Sequence, residues 1–315
     1  MTSSDLAQPM HNGRARRTAG EIMATAKGQR YYSWLLKILV WLAAAITAGV
    51  ILLMVGYILV TGIPNLTLDL FAWTFTTDNQ SMMPALVNTV VMTLLTLVMA
   101  VPVGVCAAIY MVEYAKRGNK LVKVVRLTAE TLSGIPSIVY GLFGMMFFNI
   151  LLGWGYSMLA GVVTLAIMIL PLILRTTEEA LLSVPDSYRE GSFGLGAGKL
   201  RTVFRVILPP AMPGILSGVI LSIGRIVGES AALIFTSGSG KDNLMLGKSG
   251  NFLADLFAPL FQSTRTLSVH MYNLMSEGLH MKEAQATAVM LLVLVIAINA
   301  GSARLAKKLS ANGQQ

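Results

Sequence analysis

The sequence predicts an all-α integral membrane protein with six transmembrane helices. Three observations lead there. Only 12% of the 315 residues are charged and 55% are hydrophobic, where soluble domains average about 25% charged. Mean hydropathy is +0.67. Apolar runs of about 20 residues, the length that spans a bilayer, recur along the chain.

The elements follow in order. Residues 1–30 are polar and basic, with Arg14, Arg16, Arg17, Lys27 and Arg30, and are expected to form a disordered cytoplasmic tail. The run at 34–60 exceeds a signal-peptide core of about 7–15 residues and reads as an uncleaved first span. Further spans are predicted at 86–110, 124–151, 156–174, 206–235 and 286–306. Pro102, Pro136, Pro171 and Pro213 fall inside them; each removes a backbone donor and tends to kink its helix. The single cysteine, Cys106, lies in the second span. It excludes an intrachain disulfide and a cysteine metal cluster, and reads as a small packing residue.

The net charge of +9 sits beside apolar spans, so it sets orientation and touches anionic membrane lipid rather than nucleic acid. Loop 61–84 holds Asp69 and Asp78 and no lysine or arginine. Loop 111–123 holds Lys116, Arg117, Lys120 and Lys123, and segment 175–205 holds Arg175, Arg189, Lys199, Arg201 and Arg205. The turn 152–155 is uncharged, and the C-terminal end carries Arg304, Lys307 and Lys308. This alternation places both termini in the cytoplasm. Outer loop 236–285 carries Lys241, Lys248, Arg265 and Lys282, but long loops weigh little in that rule. The expected division is a tail at 1–30, a first helix and periplasmic loop at 31–85, a transmembrane domain at 86–306 with a cytoplasmic elbow at 175–205, and a tail at 307–315.

The elbow reads "EEALLSVPDSYREGSFGLGAGKLRTVFRVILPP". Pro185 and Pro209 bound two short helical pieces joined by a glycine-rich bend. It resembles the EAA motif of ABC-importer permeases: Glu-Ala-Ala, three residues, Gly, nine residues, then Ile-x-Leu-Pro. Glu190-Gly191-Ser192 stands in the first place, Gly196 at the required spacing, and Val206-Ile207-Leu208-Pro209 nine residues later. The resemblance implies a coupling helix pair that docks on a separate ATPase through Glu190, Gly191, Ser192, Phe193, Leu195, Gly196 and Ala197. An amphipathic helix resting on the membrane surface is the other reading of such a segment. Two decoys fall away. "GLGAG" has no βαβ unit around it, and "DNLMLGKS" has Asp242 where a phosphate-binding loop needs its first glycine.

Arg225 and Glu229 lie inside the fifth predicted span. A charge at a helix centre costs roughly 2.5–3.5 kcal/mol on insertion scales. Four-residue spacing on a helix puts the two on one face, close enough to pair. Either they neutralise each other as a structural pair, or Arg225 faces a pathway and contacts an anion while Glu229 orients it. A permanently charged, forked donor suits phosphate oxygens. Arg126 and Glu130 repeat the spacing in the third span; Arg126 is near the cytoplasmic edge, where snorkelling accounts for it, while Glu130 lies deeper. Arg175 closes the fourth span, as a pathway residue at the inner mouth or as an orientation anchor.

"SGIPSIVYGLFG" (133–144), "GRIVGESAALIFTSG" (224–238) and "SVHMYNLMSEG" (268–278) are similar to stretches of phosphate-specific ABC permeases, and closer to the PstA type than to the PstC type. The resemblance implies a type I, MetI-like permease fold in a bacterial inner membrane. It also implies a PstC-type second permease, a PstB-type ATPase dimer that binds ATP and Mg, and a PstS-type periplasmic phosphate-binding protein. No cofactor is expected in this chain, and the mechanism implied is alternating access. Phosphonate, sulfate or molybdate would change only the cargo. A membrane hydrolase would need a metal site, a carboxylate pair or an activated serine, and His11, His270 and His280 show no ligand spacing. A self-sufficient carrier would be expected to show an inverted repeat, and none is convincing.

Overall fold

The computed structural model describes residues 12–116, 118–240 and 258–312, with side chains described between 32 and 304. Among the described residues every regular element is helical. Among the described residues five helices are long and apolar enough to cross a membrane, six when one bent helix pair is counted as a single span. The chain divides into two units, Met1–Leu59 and Val60–Gln315.

The first unit is helical. Helix α1 (Asn12–Gly62) contains the span expected at 34–60 and extends back through the basic stretch. Trp34, Leu36, Leu39, Trp41, Leu52 and Leu53 are exposed around its circumference. An all-round apolar helix of this length is suited to lipid.

In the second unit, α2 (Met83–Ile109), α5 (Met158–Leu182) and α8 (Leu208–Gly228) form the core. Met92 and Ala100 of α2 pack with Val162, Leu165, Met168, Ile169 and Ile173 of α5 and Ile226 of α8. The sequence Gly214-Ile-Leu-Ser-Gly218 explains the α5–α8 approach. A Cβ on Gly214 would stand 2.6 Å from the Ala180 Cβ, and one on Gly218 would overlap Thr176. Small residues four apart let membrane helices meet backbone to backbone, where dispersion replaces the absent hydrophobic drive. Two buried hydroxyls of α2 are satisfied within the helix: Thr89 donates to Ala85 O at 2.6 Å and Thr93 to Thr89 O at 2.7 Å. Cys106, expected to pack, is exposed on α2.

Two predicted spans are broken. Residues 124–151 form α3 (Lys120–Ser133), then α4 (Ser137–Gly144), then a π-helical turn, Met145–Leu151. The pair bends by 104° at Gly134-Ile135-Pro136. Pro136 cannot continue the ladder and biases Ile135 away from helix. Pro102, Pro171 and Pro213 lie inside helices that run on unbroken. The fifth span is also discontinuous: α8 ends at Gly228, Glu229 is extended (φ −77°, ψ 123°), and α9 (Ala231–Thr236) begins two residues later.

Between α5 and α8 lies the elbow, α6 (Asp186–Gly194) and the one-turn α7 (Lys199–Thr202), followed by a π turn at Val203–Ile207. A third π turn, Tyr110–Tyr114, follows α2. Loop 236–285 holds an additional helix, α10 (Leu267–Glu277), and α11 (Met281–Asn312) contains the last predicted span. A smaller cluster of Leu70, Met82, Ala85, Leu267 and Ala286 packs the loop before α2 against α10 and α11.

Candidate translocation and coupling sites

The two broken spans meet. Short helices α4 and α9 cross so closely that a Cβ on Gly141 would stand 2.7 Å from the Ala232 Cα. Asn149 Nδ2 donates to Phe235 O and Thr236 O, each at 3.1 Å. Discontinuous helices expose backbone ends that soluble proteins leave to water; inside a bilayer such ends persist only where protein or a cavity satisfies them.

Glu229 supplies part of that satisfaction. Its Oε1 accepts from Ala232 N–H at 3.1 Å, so the carboxylate caps α9, where the helix dipole favours a negative charge. Its main-chain oxygen accepts from Ser268 Oγ at 2.7 Å, tying the break to α10. The structural pairing of Arg225 with Glu229 considered from the four-residue spacing is not formed. The helix ends between them, and Glu229 turns to α9. Arg225, half-buried in the last turn of α8, has no carboxylate within 4.0 Å among the described residues. Nearby Tyr140 donates its hydroxyl to Leu132 O at 2.7 Å, bracing α4 against the end of α3.

The remaining pathway candidates gather apart from this break, around the last turns of α5. Arg175 pairs with Glu179 at 3.0 Å, and both are exposed. Glu130 is exposed on α3, within electrostatic reach of Arg175. Arg126, attributed above to snorkelling, instead reaches across to α5 and pairs with the buried Glu178. Arg225 and Glu229 thus share one site, while Arg175 and Glu130 share another. Among the described residues no three His, Cys, Asp or Glu side chains converge to hold a metal.

At the elbow the motif residues have distinct tasks. Gly196 has φ +80°, its N–H bonds to Phe193 O at 2.9 Å, and Ala197 N–H bonds to Ser192 O at 3.1 Å. This is a Schellman termination, which wants glycine at the left-handed position. Ser192 is buried, its Oγ 2.8 Å from Thr202 Oγ1, and links α6 to α7. Glu190 and Gly191 are exposed. Leu195 is 92% exposed and Phe193 46%, with Tyr188 and Leu200 exposed beside them. An apolar knob of this kind can fill a partner's pocket, and its loss usually weakens an interface more than loss of a rim charge.

Arg189, adjacent to the motif, was not singled out from sequence. Its Nε and Nη2 donate to Glu113 at 3.1 and 2.7 Å, Nη2 also to Leu181 O at 3.0 Å, and Nη1 to Val184 O at 2.8 Å and Asp186 at 3.1 Å. The hydrogen-bonded Glu113 carboxylate holds this guanidinium charged above the ordinary arginine range. The partner lies 76 residues away, so spacing offers no signal for it. Arg265, counted above only as a loop charge, is 4% exposed with its guanidinium 4.3 Å from the Phe75 ring centre. Burial pushes its pKa down to about 10.

Comparison with known proteins places these features in context. Residues 100–311 match the family described as "Binding-protein-dependent transport system inner membrane component". The chain is 34% identical over 286 residues to the "Probable ABC transporter permease protein YqgI" of Bacillus subtilis (strain 168), covering 86% of this chain and 95% of the relative. It is 41% identical over 154 residues to "Phosphate transport system permease protein PstA 1" of Mycobacterium tuberculosis (strain CDC 1551 / Oshkosh), spanning 49% of this chain and 50% of that one. In fold it is similar to a chain of the inward-facing MetNI methionine ABC transporter, with a TM-score of 0.53 and 23% identity over 72% of this chain and 94% of that one. It is also similar to a chain of the bacterial alginate ABC transporter in complex with its alginate pentasaccharide-bound periplasmic protein, with a TM-score of 0.60 and 15% identity over 91% and 97%.

Proposed function

The chain belongs to the family of inner-membrane components of binding-protein-dependent transport systems, and on that basis we propose that it is the permease subunit of an ATP-driven importer of inorganic phosphate. The observation that carries the phosphate reading is Arg225. Its guanidinium stands half-buried at the break between α8 and α9, with no protein carboxylate within 4.0 Å among the described residues. The nearest charged candidate in sequence, Glu229, is engaged in capping α9. A half-buried cation with no carboxylate of its own chain beside it is suited to an anion that comes and goes. The planar fork offers paired donors to phosphate oxygens, and a single arginine holds the anion without trapping it.

In this reading the α6–α7 elbow and both termini face the cytoplasm, following the alternation of basic loops. Phe193, Leu195 and the Gly196 turn seat on a separate ATPase of PstB type, which binds ATP and Mg. A PstC-type permease completes the pathway, and a PstS-type binding protein delivers phosphate from the periplasm. Movement of the elbow reopens the spans on the opposite face. Arg175 and Glu130, around the last turns of α5, line the exit.

The test is co-expression with these partners and reconstitution in proteoliposomes. ATP hydrolysis should rise with phosphate-loaded binding protein and not with sulfate-loaded protein. Equal stimulation by sulfate-, molybdate- or phosphonate-loaded protein would overturn phosphate as the cargo. Uptake by this chain alone, driven by an ion gradient, would overturn ATP coupling.

A further inference from the structure

One guanidinium joins three elements at the base of the elbow. Arg189 belongs to α6, Glu113 to the π turn that ends α2, and the Leu181 carbonyl to the last turn of α5. The side chains are 15% and 7% exposed. Around them Ile109, Leu181, Val184, Val203 and Ile207 form a tight apolar cluster.

Stability alone is a weak reason for such a pair, because apolar residues of similar volume often serve as well. What a forked donor adds is direction. Paired bonds to one carboxylate, with two more to backbone carbonyls, define both the position and the rotation of the side chain. The Ser192–Thr202 bond ties α6 to α7 and not to α2 or α5, and the chain links at the ends of α6 are short turns. Ser183, Val184 and Pro185 form a short turn on one side, and the bend Leu195–Gly198 lies on the other. Displacement of α6 through those links alone could be absorbed by backbone rotation before reaching the spans.

We propose that the Arg189–Glu113 pair is the joint that makes α2 and α5 move together with the elbow, so that a push on α6 reaches both spans. The proposal rests on reading the chain as a permease driven by an ATPase through α6 and α7. Arg189 is a positioning residue here: its guanidinium is bonded to Glu113 and to the Leu181 carbonyl, so it acts through α2 and α5.

The test uses the reconstituted complex with Glu113→Gln, Arg189→Gln and the double variant. The readout is phosphate imported per ATP hydrolysed, with ATPase co-purification measured in parallel. Each single variant should lower that ratio by about tenfold, within the range usual for coupling between sites, while Glu113→Gln retains the ATPase. The double variant should lose no more than the worse single, because both remove one joint. Arg189→Lys keeps the cation without the fork and should also uncouple, which covers the case where a glutamine variant does not fold. A ratio within twofold of the unaltered chain in Glu113→Gln and Arg189→Lys, or losses that multiply in the double variant, would overturn the joint. Failure of the unaltered chain to retain any ATPase would instead refute the permease reading beneath it.

Discussion

Replacing Gly141 with alanine should wedge the two broken spans apart. A new Cβ would lie 2.7 Å from Ala232 Cα, 3.0 Å from Ala232 O and 3.2 Å from Ala232 C. Carbon atoms in contact settle at about 3.5–4.0 Å, so α4 and α9 must separate by roughly 1 Å. All three obstacles are backbone atoms, so no side-chain rotation relieves the overlap. Helix α9 has only six residues and is tied down by the Glu229 cap and by Asn149. Overpacking of this kind costs about 1–3 kcal/mol. At about 2–4 °C per kcal/mol for a chain of this size, the melting temperature should fall by roughly 2–12 °C. Thermal unfolding of the purified complex measures it, with Gly134→Ala as control, since a Cβ there meets only Thr131 O at 3.6 Å. Phosphate uptake should fall with Gly141→Ala and persist with the control. If the two variants melt within a degree of each other and transport alike, the close crossing of α4 and α9 is not part of the native structure.

Other perturbations separate the remaining assignments. Arg225→Gln should reduce phosphate uptake by at least about 30-fold, the low end for removing one partner of a buried charge contact, while the complex still co-purifies intact; unchanged uptake would make the arginine dispensable. Gly196→Ala should keep the ATPase, because the Cβ meets no atom and left-handed strain costs only about 1–2 kcal/mol. Gly196→Glu adds a charge at the docking face and should release it; equal co-purification of the two refutes docking there. Arg265→Met should stabilise the protein at neutral pH. With the folded-state pKa pushed down to about 10 against the ordinary arginine value, the burden of the buried charge is on the order of 3 kcal/mol. That burden is fully present below about pH 10 and eases as pH rises from there toward the ordinary arginine range, because the unfolded chain then binds more protons. The stability gap between variant and native chain, followed by thermal unfolding at pH 7 to 10.5, should therefore narrow at the alkaline end; a gap absent at pH 7 would show that the charge is well compensated.

Hydropathy made the spans legible, because lipid demands continuous apolar length and little else competes with that signal. The elbow was legible for a different reason: its glycine must adopt a left-handed turn, and that requirement survives as a spacing. The breaks were harder to read. Pro136 suggested a kink, but Pro102, Pro171 and Pro213 suggested the same and none of these three interrupts its helix. What distinguishes Pro136 is that the detached piece finds packing partners, α9 of the second broken span at Gly141 and Thr164 of α5 at Gly144. The break at Glu229 has no proline at all. It follows from Gly228, from the cap that Glu229 makes and from the Ser268 bond, and the last of these is a contact from 39 residues away. Four-residue spacing misled for Arg225 and Glu229 because it presumes the helix it was used to infer. Glu178 and Glu113 as arginine partners were out of reach for a different reason, since ion pairs between distant helices leave no periodic trace.

The π turns at Tyr110–Tyr114, Met145–Leu151 and Val203–Ile207 make this chain locally tolerant of changes in length. Each is an α-helical path carrying a spare residue, and one residue corresponds to about 100° of rotation around the axis. Loss of a single codon within Val203–Ile207 would let the path relax to ordinary α geometry and leave Phe193 and Leu195 facing nearly the same way relative to α8, because the bulge already absorbs the rotation that an extra residue would otherwise impose. The same loss inside the unbroken turns of α8 would instead rotate everything on one side of it by about 100° relative to the other, so single-residue changes of length are expected at these three places rather than within the regular helices.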